Sequence, residues 1–289
     1  MTKQEFAALA ARGPVILDGG TGSSLRAAGM PVGVPPELWV LEHPEVLTGL
    51  QRAYVEAGSM ILCTPTFSAN RLSLKGFGLE AGLAELNARL VSLTREAAGG
   101  RALVAGDLPT LGRPLEPVGD LPYSEAYDIY REHMEALAEA GADLFALETL
   151  MGADEAVAAL DAAAEFGLPV WCSFSAEADG SLMFGGNVWE TAAMLQELGA
   201  AAVGVNCSVG PDQLESVIRS VQAAVDIPVV AKPNAGLPVM DESGQAHYSM
   251  GPDEFARHMR VLADAGAGVV GGCCGTTPEY IRRLAEALA

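Results

Sequence analysis

Two adjacent cysteines, Cys273 and Cys274 in GVVGGCCGTTPEY, stand between paired glycines and paired threonines near the C-terminus. Neighbouring cysteines rarely bond to each other, because the peptide between them strains the ring and disulfide geometry is narrow. The chain has three other cysteines, and one of them, Cys207 in GVNCSVGP, lies in a second glycine-flanked run. Three thiolates around one soft or borderline divalent ion, with a fourth position open, make a catalytic type of zinc site. Two other readings stand beside it. The cysteines could be small core residues, or a redox pair, although a redox pair favours C-x-x-C at a helix start. Cys63 and Cys172, inside apolar runs, read as plain buried cysteines. His43, His133, His247 and His258 do not fall in pairs at strand ends, which argues against a histidine-based metal site.

For these thiols to meet, the chain must bring distant segments together. Short apolar, β-branched runs cover residues 14–20, 59–67, 101–108, 143–149, 169–175, 202–208, 228–234 and 268–275. Ala/Leu/Glu-rich amphipathic stretches alternate with them, several ending in Ala-Gly or Leu-Gly where a left-handed helix cap belongs. Eight strand–helix units of about 36 residues each predict a (β/α)8 TIM barrel with parallel strands, in which active sites form at the C-terminal strand ends. An open doubly wound sheet fits less well, because DGGTGSSL lacks the G-x-G-x-x-G spacing. No linker-like stretch divides residues 1–289, so a single barrel domain is expected, with residues 1–13 as a short helix capping its bottom.

In that register the polar residues gather on one rim. Asp18, Thr66, Asp107, Glu148, Ser175, Asn206, Cys207, Asn234, Cys273 and Cys274 all fall at or just past strand ends. Strands 6 and 8 are separated only by strand 7, so their ends lie about 10 Å apart, and inward side chains can close that gap around one ion. Cys273 and Cys274 would normally point to opposite faces of a strand, so the backbone must bend at the doublet, and Gly271, Gly272 and Gly275 permit it.

Composition narrows the function further. A formal charge of −20 and a pI near 4.4 argue against a nucleic-acid partner. No run approaches the roughly 18 apolar residues of a membrane span, and the N-terminus has no signal-peptide core. Five cysteines do not make a disulfide framework and suit a reducing, cytoplasmic setting.

GVNCSVGP, KPNAGLP and GGCCGTTPEYI, together with DGGTGSSL, resemble the homocysteine S-methyltransferase family, most of all the homocysteine-binding barrel of cobalamin-dependent methionine synthase. The likeness runs from about residue 14 to 288. It implies a zinc ion on Cys207, Cys273 and Cys274 that activates the thiol of homocysteine, with methionine as product. It further implies Glu148, with Asp18 nearby, as the seat of the substrate ammonium; on residue type alone Asp18 reads equally as a helix cap and Glu148 as a rim salt bridge. The amides of Gly19, Gly20 and Thr21 would cradle the substrate carboxylate, and Thr66 and Asp107 would line the pocket. The Asn234 oxygen, or a water, would occupy the metal's fourth position until substrate arrives, and Asn206 would hold the loop beside Cys207. The chain has no D-x-H-x-x-G cobalamin loop, so the methyl donor is expected to be a separate methyl-corrinoid protein. S-methylmethionine as donor, a different thiol as acceptor, and a zinc- and thiol-binding module without turnover are the alternatives.

Overall fold

The β-branched runs form strands and the Ala/Leu/Glu-rich stretches form helices, in alternation, throughout the computed structural model, which describes residues 1–241 and 246–289. The strands are β1 (Val15–Ile16), β2 (Ile61–Cys63), β3 (Leu103–Pro109), β4 (Leu144–Leu150), β5 (Val170–Phe174), β6 (Ala202–Cys207), β7 (Val229–Pro233), β8 (Pro238–Met240), β9 (Ala246–Tyr248) and β10 (Ala267–Val270). All but β8 and β9 hydrogen-bond in the order β1-β10-β7-β6-β5-β4-β3-β2, and every pair is parallel. A parallel bridge from Leu17 to Ile61 joins the two ends of that order. Met60 N–H donates across the same seam to the Ile16 carbonyl at 2.7 Å. The sheet therefore closes on itself as the expected (β/α)8 barrel. Strands β8 and β9 form an antiparallel hairpin in the loop after β7, an addition the hydrophobic pattern does not announce.

Several strands are shorter than their apolar runs. β1 keeps two residues of the run over 14–20, and β10 stops at Val270 rather than 275. The chain beyond Val270 is held by close packing. A Cβ on Gly271 would lie 2.7 Å from Leu17 Cβ, and one on Gly272 would lie 2.4 Å from Thr276 Oγ1. These two glycines thus admit neighbouring chain, while the bend itself falls at Gly275, with φ +81°.

Side-chain alternation along the strands fills the barrel. Phe6, Val15, Leu17, Ile61, Ala105, Leu144, Ala146, Trp171, Ala202, Val230 and Val269 make one buried interior cluster. Alanine at three of these positions, Ala105, Ala146 and Ala202, leaves room for the Trp171 indole. The helix Lys3–Ala10 brings Phe6 into this cluster from below. Its start is fixed by a capping box between Thr2 and Glu5, and Lys3 Nζ donates to the Gly199 carbonyl at 3.0 Å. Burying a side chain of the size of Phe6 contributes roughly 1.5–3 kcal/mol.

Two residues further up the same inward faces, the residue types change. Asp107 follows Ala105, Glu148 follows Ala146, Asn206 follows Gly204 and Lys232 follows Val230. The upper interior is polar by the same period of two that makes the lower interior apolar.

Candidate metal and substrate site

Cys207 ends β6 in a left-handed conformation, φ +61°, and Ser208 follows at φ +55°. Thr149, at the end of β4, has φ +61° and completes the set of non-glycine residues with positive φ among the described residues. Such conformations cost on the order of 1–3 kcal/mol each and persist where surrounding bonds fix them. Asn206 supplies two of those bonds: its Oδ1 accepts Thr149 N–H at 2.7 Å, and its Nδ2 donates to Thr149 Oγ1 at 2.9 Å. The hydroxyls of Ser208 and Ser175 meet at 2.9 Å.

The doublet is fastened from the β7 side. Cys273 N–H donates to the Pro233 carbonyl at 2.8 Å, and Cys274 N–H donates to Asn234 Oδ1 at 3.0 Å. Asn234 Nδ2 in turn donates to the Ser208 carbonyl at 3.1 Å, so one amide ties the loop after β6 to the loop after β10. Asn234, expected as a ligand, has this bridging work in the structure.

The outcome is that Cys207, Cys273 and Cys274 turn their sulfurs toward one point. All three lie within 4.8 Å of one another, Cys273 and Cys274 being 4.0 Å apart. Tetrahedral coordination at 2.3 Å per sulfur sets sulfurs ~3.8 Å apart, so a tightening of about 1 Å or less brings the set onto one ion. They are the one such group of three or more His, Cys, Asp or Glu residues among the described residues. Without a cation they hold their protons. Hydrogen bonding to Cys273, with burial, pushes Cys207 up to about 12, and hydrogen bonding to Cys207 raises Cys274 to about 11. Cys273 is raised as well: its bond from Cys207 lowers it, but the bond to Cys274 and burial outweigh that. Three crowded thiols that resist ionising suit a divalent cation, which restores the thiolates. The histidines stand elsewhere; His133, for instance, is buried against Asn87 and pushed down to about 3 by burial.

The sulfurs open onto a cavity of about 340 Å³ whose lining includes Asp107, Glu148 and Lys232. Lys232 Nζ donates to both Glu148 oxygens, at 2.8 and 3.0 Å, and lies 3.6 Å from Asp18 Oδ1 and 3.5 Å from Cys63 Sγ. Burial works against the lysine's charge, but the acidic groups around it, Cys63, Glu148 and Asp18, outweigh burial and hold it protonated. Asp18 is raised by burial, an effect that Lys232 moderates. Burial and then the Glu148 charge push Asp107 well above the usual carboxylate range.

The residues singled out from the sequence divide here. Glu148, Asp107, Gly19, Gly20 and Thr21 line the cavity with the three cysteines. Asp18 lies outside that lining, fully buried, with Oδ2 accepting Cys63 N–H at 2.8 Å. Thr66 also lies outside the lining, its hydroxyl donating to the Asp107 carbonyl at 2.7 Å. Gly20 N–H is engaged by Thr276, through both carbonyl and hydroxyl, which leaves the amides of Gly19 and Thr21 for an anion. Cys63 lines the cavity floor, whereas Cys172 faces the helix layer. Sequence reasoning overlooked Lys232 and Glu37. A lysine inside the otherwise apolar run VVAKP was the available signal for the first. Glu37, at a helix start after two prolines, reads as an ordinary first-turn acid.

A closed parallel barrel with converging thiols and buried carboxyls at its C-terminal mouth defines an enzyme whose chemistry centres on sulfur. The chain belongs to the homocysteine S-methyltransferase family, which it matches over residues 15–288. It is 32% identical to the methionine synthase of Mycobacterium leprae over 86% of this chain, and it spans 21% of that relative's length. It is 30% identical to homocysteine S-methyltransferase 3 of Arabidopsis thaliana, covering 96% of this chain and 90% of the other. The crystal structure of the homocysteine methyltransferase MmuM from Escherichia coli, in its metallated form, superposes with a TM-score of 0.82 at 26% identity, over 96% of this chain and 97% of MmuM.

Proposed function

We propose that this protein methylates the sulfur of homocysteine to give methionine, with a zinc ion held by Cys207, Cys273 and Cys274. The carrying observation is the convergence of these three sulfurs on the wall of a cavity that also presents buried carboxyls. When bound, zinc supplies the Lewis acidity that lets a substrate thiol, ordinarily a few per cent ionised at neutral pH, enter as thiolate. Asn234 ties both cysteine loops together, and its side-chain oxygen would be available as a further donor to the ion in the absence of substrate. The amides of Gly19 and Thr21 receive the substrate carboxylate. The thiol proton leaves to solvent, a sulfur lone pair forms the new S–CH3 bond, and the bond from methyl to donor breaks with its electron pair staying on the donor. The donor is a separate methyl-corrinoid protein, in keeping with the likeness to methionine synthases. A small methyl sulfonium such as S-methylmethionine is the second reading.

Methionine formation from homocysteine, with methylcobalamin and with S-methylmethionine supplied in parallel, tests this. Turnover with one donor that a chelator abolishes and zinc restores is expected. A metal-loaded protein that binds homocysteine yet methylates it with neither donor would overturn the proposal.

A further inference from the structure

The hairpin of β8 and β9 stands beside the cysteine doublet, and both of its ends are fastened there. Ala235 N–H donates to the Cys274 carbonyl at 3.0 Å, and Met250 N–H donates to the Ala235 carbonyl at 3.1 Å. Tyr280, on the helix Pro278–Leu288, donates its hydroxyl to the Met250 carbonyl at 2.6 Å. Antiparallel pairing of Pro238 with Tyr248 and of Met240 with Ala246 fixes the register. From Ala246 onward the chain alternates, with His247 and Ser249 exposed and Ala246, Tyr248 and Met250 turned inward.

Tyr248 is the residue this register delivers to the doublet. Its ring lies against Gly275, where a Cβ would come 2.3 Å from Tyr248 Cγ. The bend at Gly275 thus admits a ring as well as a positive φ. From there the Tyr248 hydroxyl hydrogen-bonds the Cys274 sulfur. Tyr248 is not part of the cavity lining, so it meets that sulfur from outside the substrate space.

Charge explains what such a bond does. Three thiolates around one divalent ion leave a net negative centre, in a protein whose formal charge is already −20. The three sulfurs are compensated in different ways. Cys207 takes a hydrogen bond from the Ser208 backbone, and Cys273 has the Lys232 charge nearby. Cys274 has the phenol. A metal-bound thiolate can only accept, so the Tyr248 O–H is the donor. Hydrogen bonds to ionised acceptors are among the stronger ones, and groups that bond a metal's ligands from behind orient them and tune the ion.

We propose that Tyr248 is a positioning residue for the metal, its hydroxyl holding Cys274 Sγ toward the point shared with Cys207 and Cys273 and drawing off part of the thiolate charge. This rests on the zinc reading above. The β8–β9 hairpin, which interrupts the strand–helix alternation, is the element that carries this hydroxyl to the doublet. The bond strengthens the hold on zinc and moderates the electron density at the sulfurs.

Chelator competition for zinc, together with absorption of the cobalt-substituted protein, tests the bond. Tyr248→Phe keeps the ring on Gly275 and removes only the hydroxyl. Zinc should be held about 10-fold less tightly or worse, with the fold unchanged by circular dichroism. The sulfur-to-cobalt charge-transfer band should move to longer wavelength, because a thiolate lone pair freed from an O–H lies higher in energy. Replacing Tyr248 with 3-fluorotyrosine, a stronger donor of nearly the same shape, should move the band to shorter wavelength. An unmoved band in Tyr248→Phe overturns the role of Tyr248 even where zinc affinity falls, since altered packing alone gives that pattern. Wild-type zinc affinity in the same variant overturns it too, and both results leave the zinc reading standing. A wild type that takes up neither metal overturns both. Should Tyr248→Phe fail to fold, the fluorotyrosine protein decides: a shift to shorter wavelength sustains the bond, and an unmoved band sinks it.

Discussion

The lower and upper halves of the barrel interior are built by the same strands under the same alternation, yet they do opposite things. Below, Phe6, Trp171 and a ring of Val, Leu, Ile and Ala exclude water and fix the strands. Two residues higher, Asp107, Glu148, Asn206 and Lys232 occupy the continuation of those faces, with the cysteines just beyond. The lower half contributes stability and no chemistry; the upper half holds costly buried charge that the lower half must offset. The barrel is therefore a stable support carrying a less favourable upper layer.

The largest separation between the halves should come from the cysteines. Replacing Cys207, Cys273 or Cys274 with alanine should remove the metal and about a thousandfold or more of turnover. Thermal unfolding should barely move. A near-stoichiometric zinc content with full activity in Cys274→Ser would contradict the three-sulfur site. Trp171→Ala should do the reverse: a loss of about 3–5 kcal/mol in urea denaturation, with metal content in the surviving fold unchanged.

Lys232→Met probes the boundary and should cost about 3 kcal/mol, because it strands Glu148 and Asp18 in a buried setting. That loss should depend on pH. Burial raises Asp18 and Asp107, so the folded protein keeps protons that the unfolded chain releases above about 3.9, and their contribution to stability falls as pH rises from there. Lys232 moderates this for Asp18, so the variant should lose more at pH 8 than at pH 5. Equal losses would show that the lysine acts by packing alone. The smallest effects concern the remaining cysteines. Cys172→Ala should cost about 1 kcal/mol with no change in KM for the thiol substrate. Cys63→Ala, which alters the cavity floor beside Lys232, should shift that KM a few-fold at similar stability.

Much of this could be read from the chain. The β-branched runs disclosed eight strands, and their spacing brought Cys207 and the doublet to one rim, because alternation and barrel closure are local and periodic properties. The strand ends were not legible: β1 and β10 stop early where glycines admit backbone from other strands. Lys232 escaped notice because its meaning lies in partners 84 and 169 residues away in the chain. Glu37 looked like a helix-start acid until its second oxygen proved to be buried without a partner. Asp18 carried the right residue type, but whether it faces the cavity or lies beneath it is set by packing.

The two bonds between Asn206 and Thr149 also limit how this enzyme can diversify. They clasp the end of β4 to the end of β6, across the intervening β5. Barrel enzymes commonly vary the loops on their catalytic face one at a time, but here the segment beside the cavity's Glu148 and the segment that bears a sulfur are bonded to each other. Recombination that replaces either alone would release the left-handed Thr149 and Cys207 together, and only a joint exchange would preserve the site.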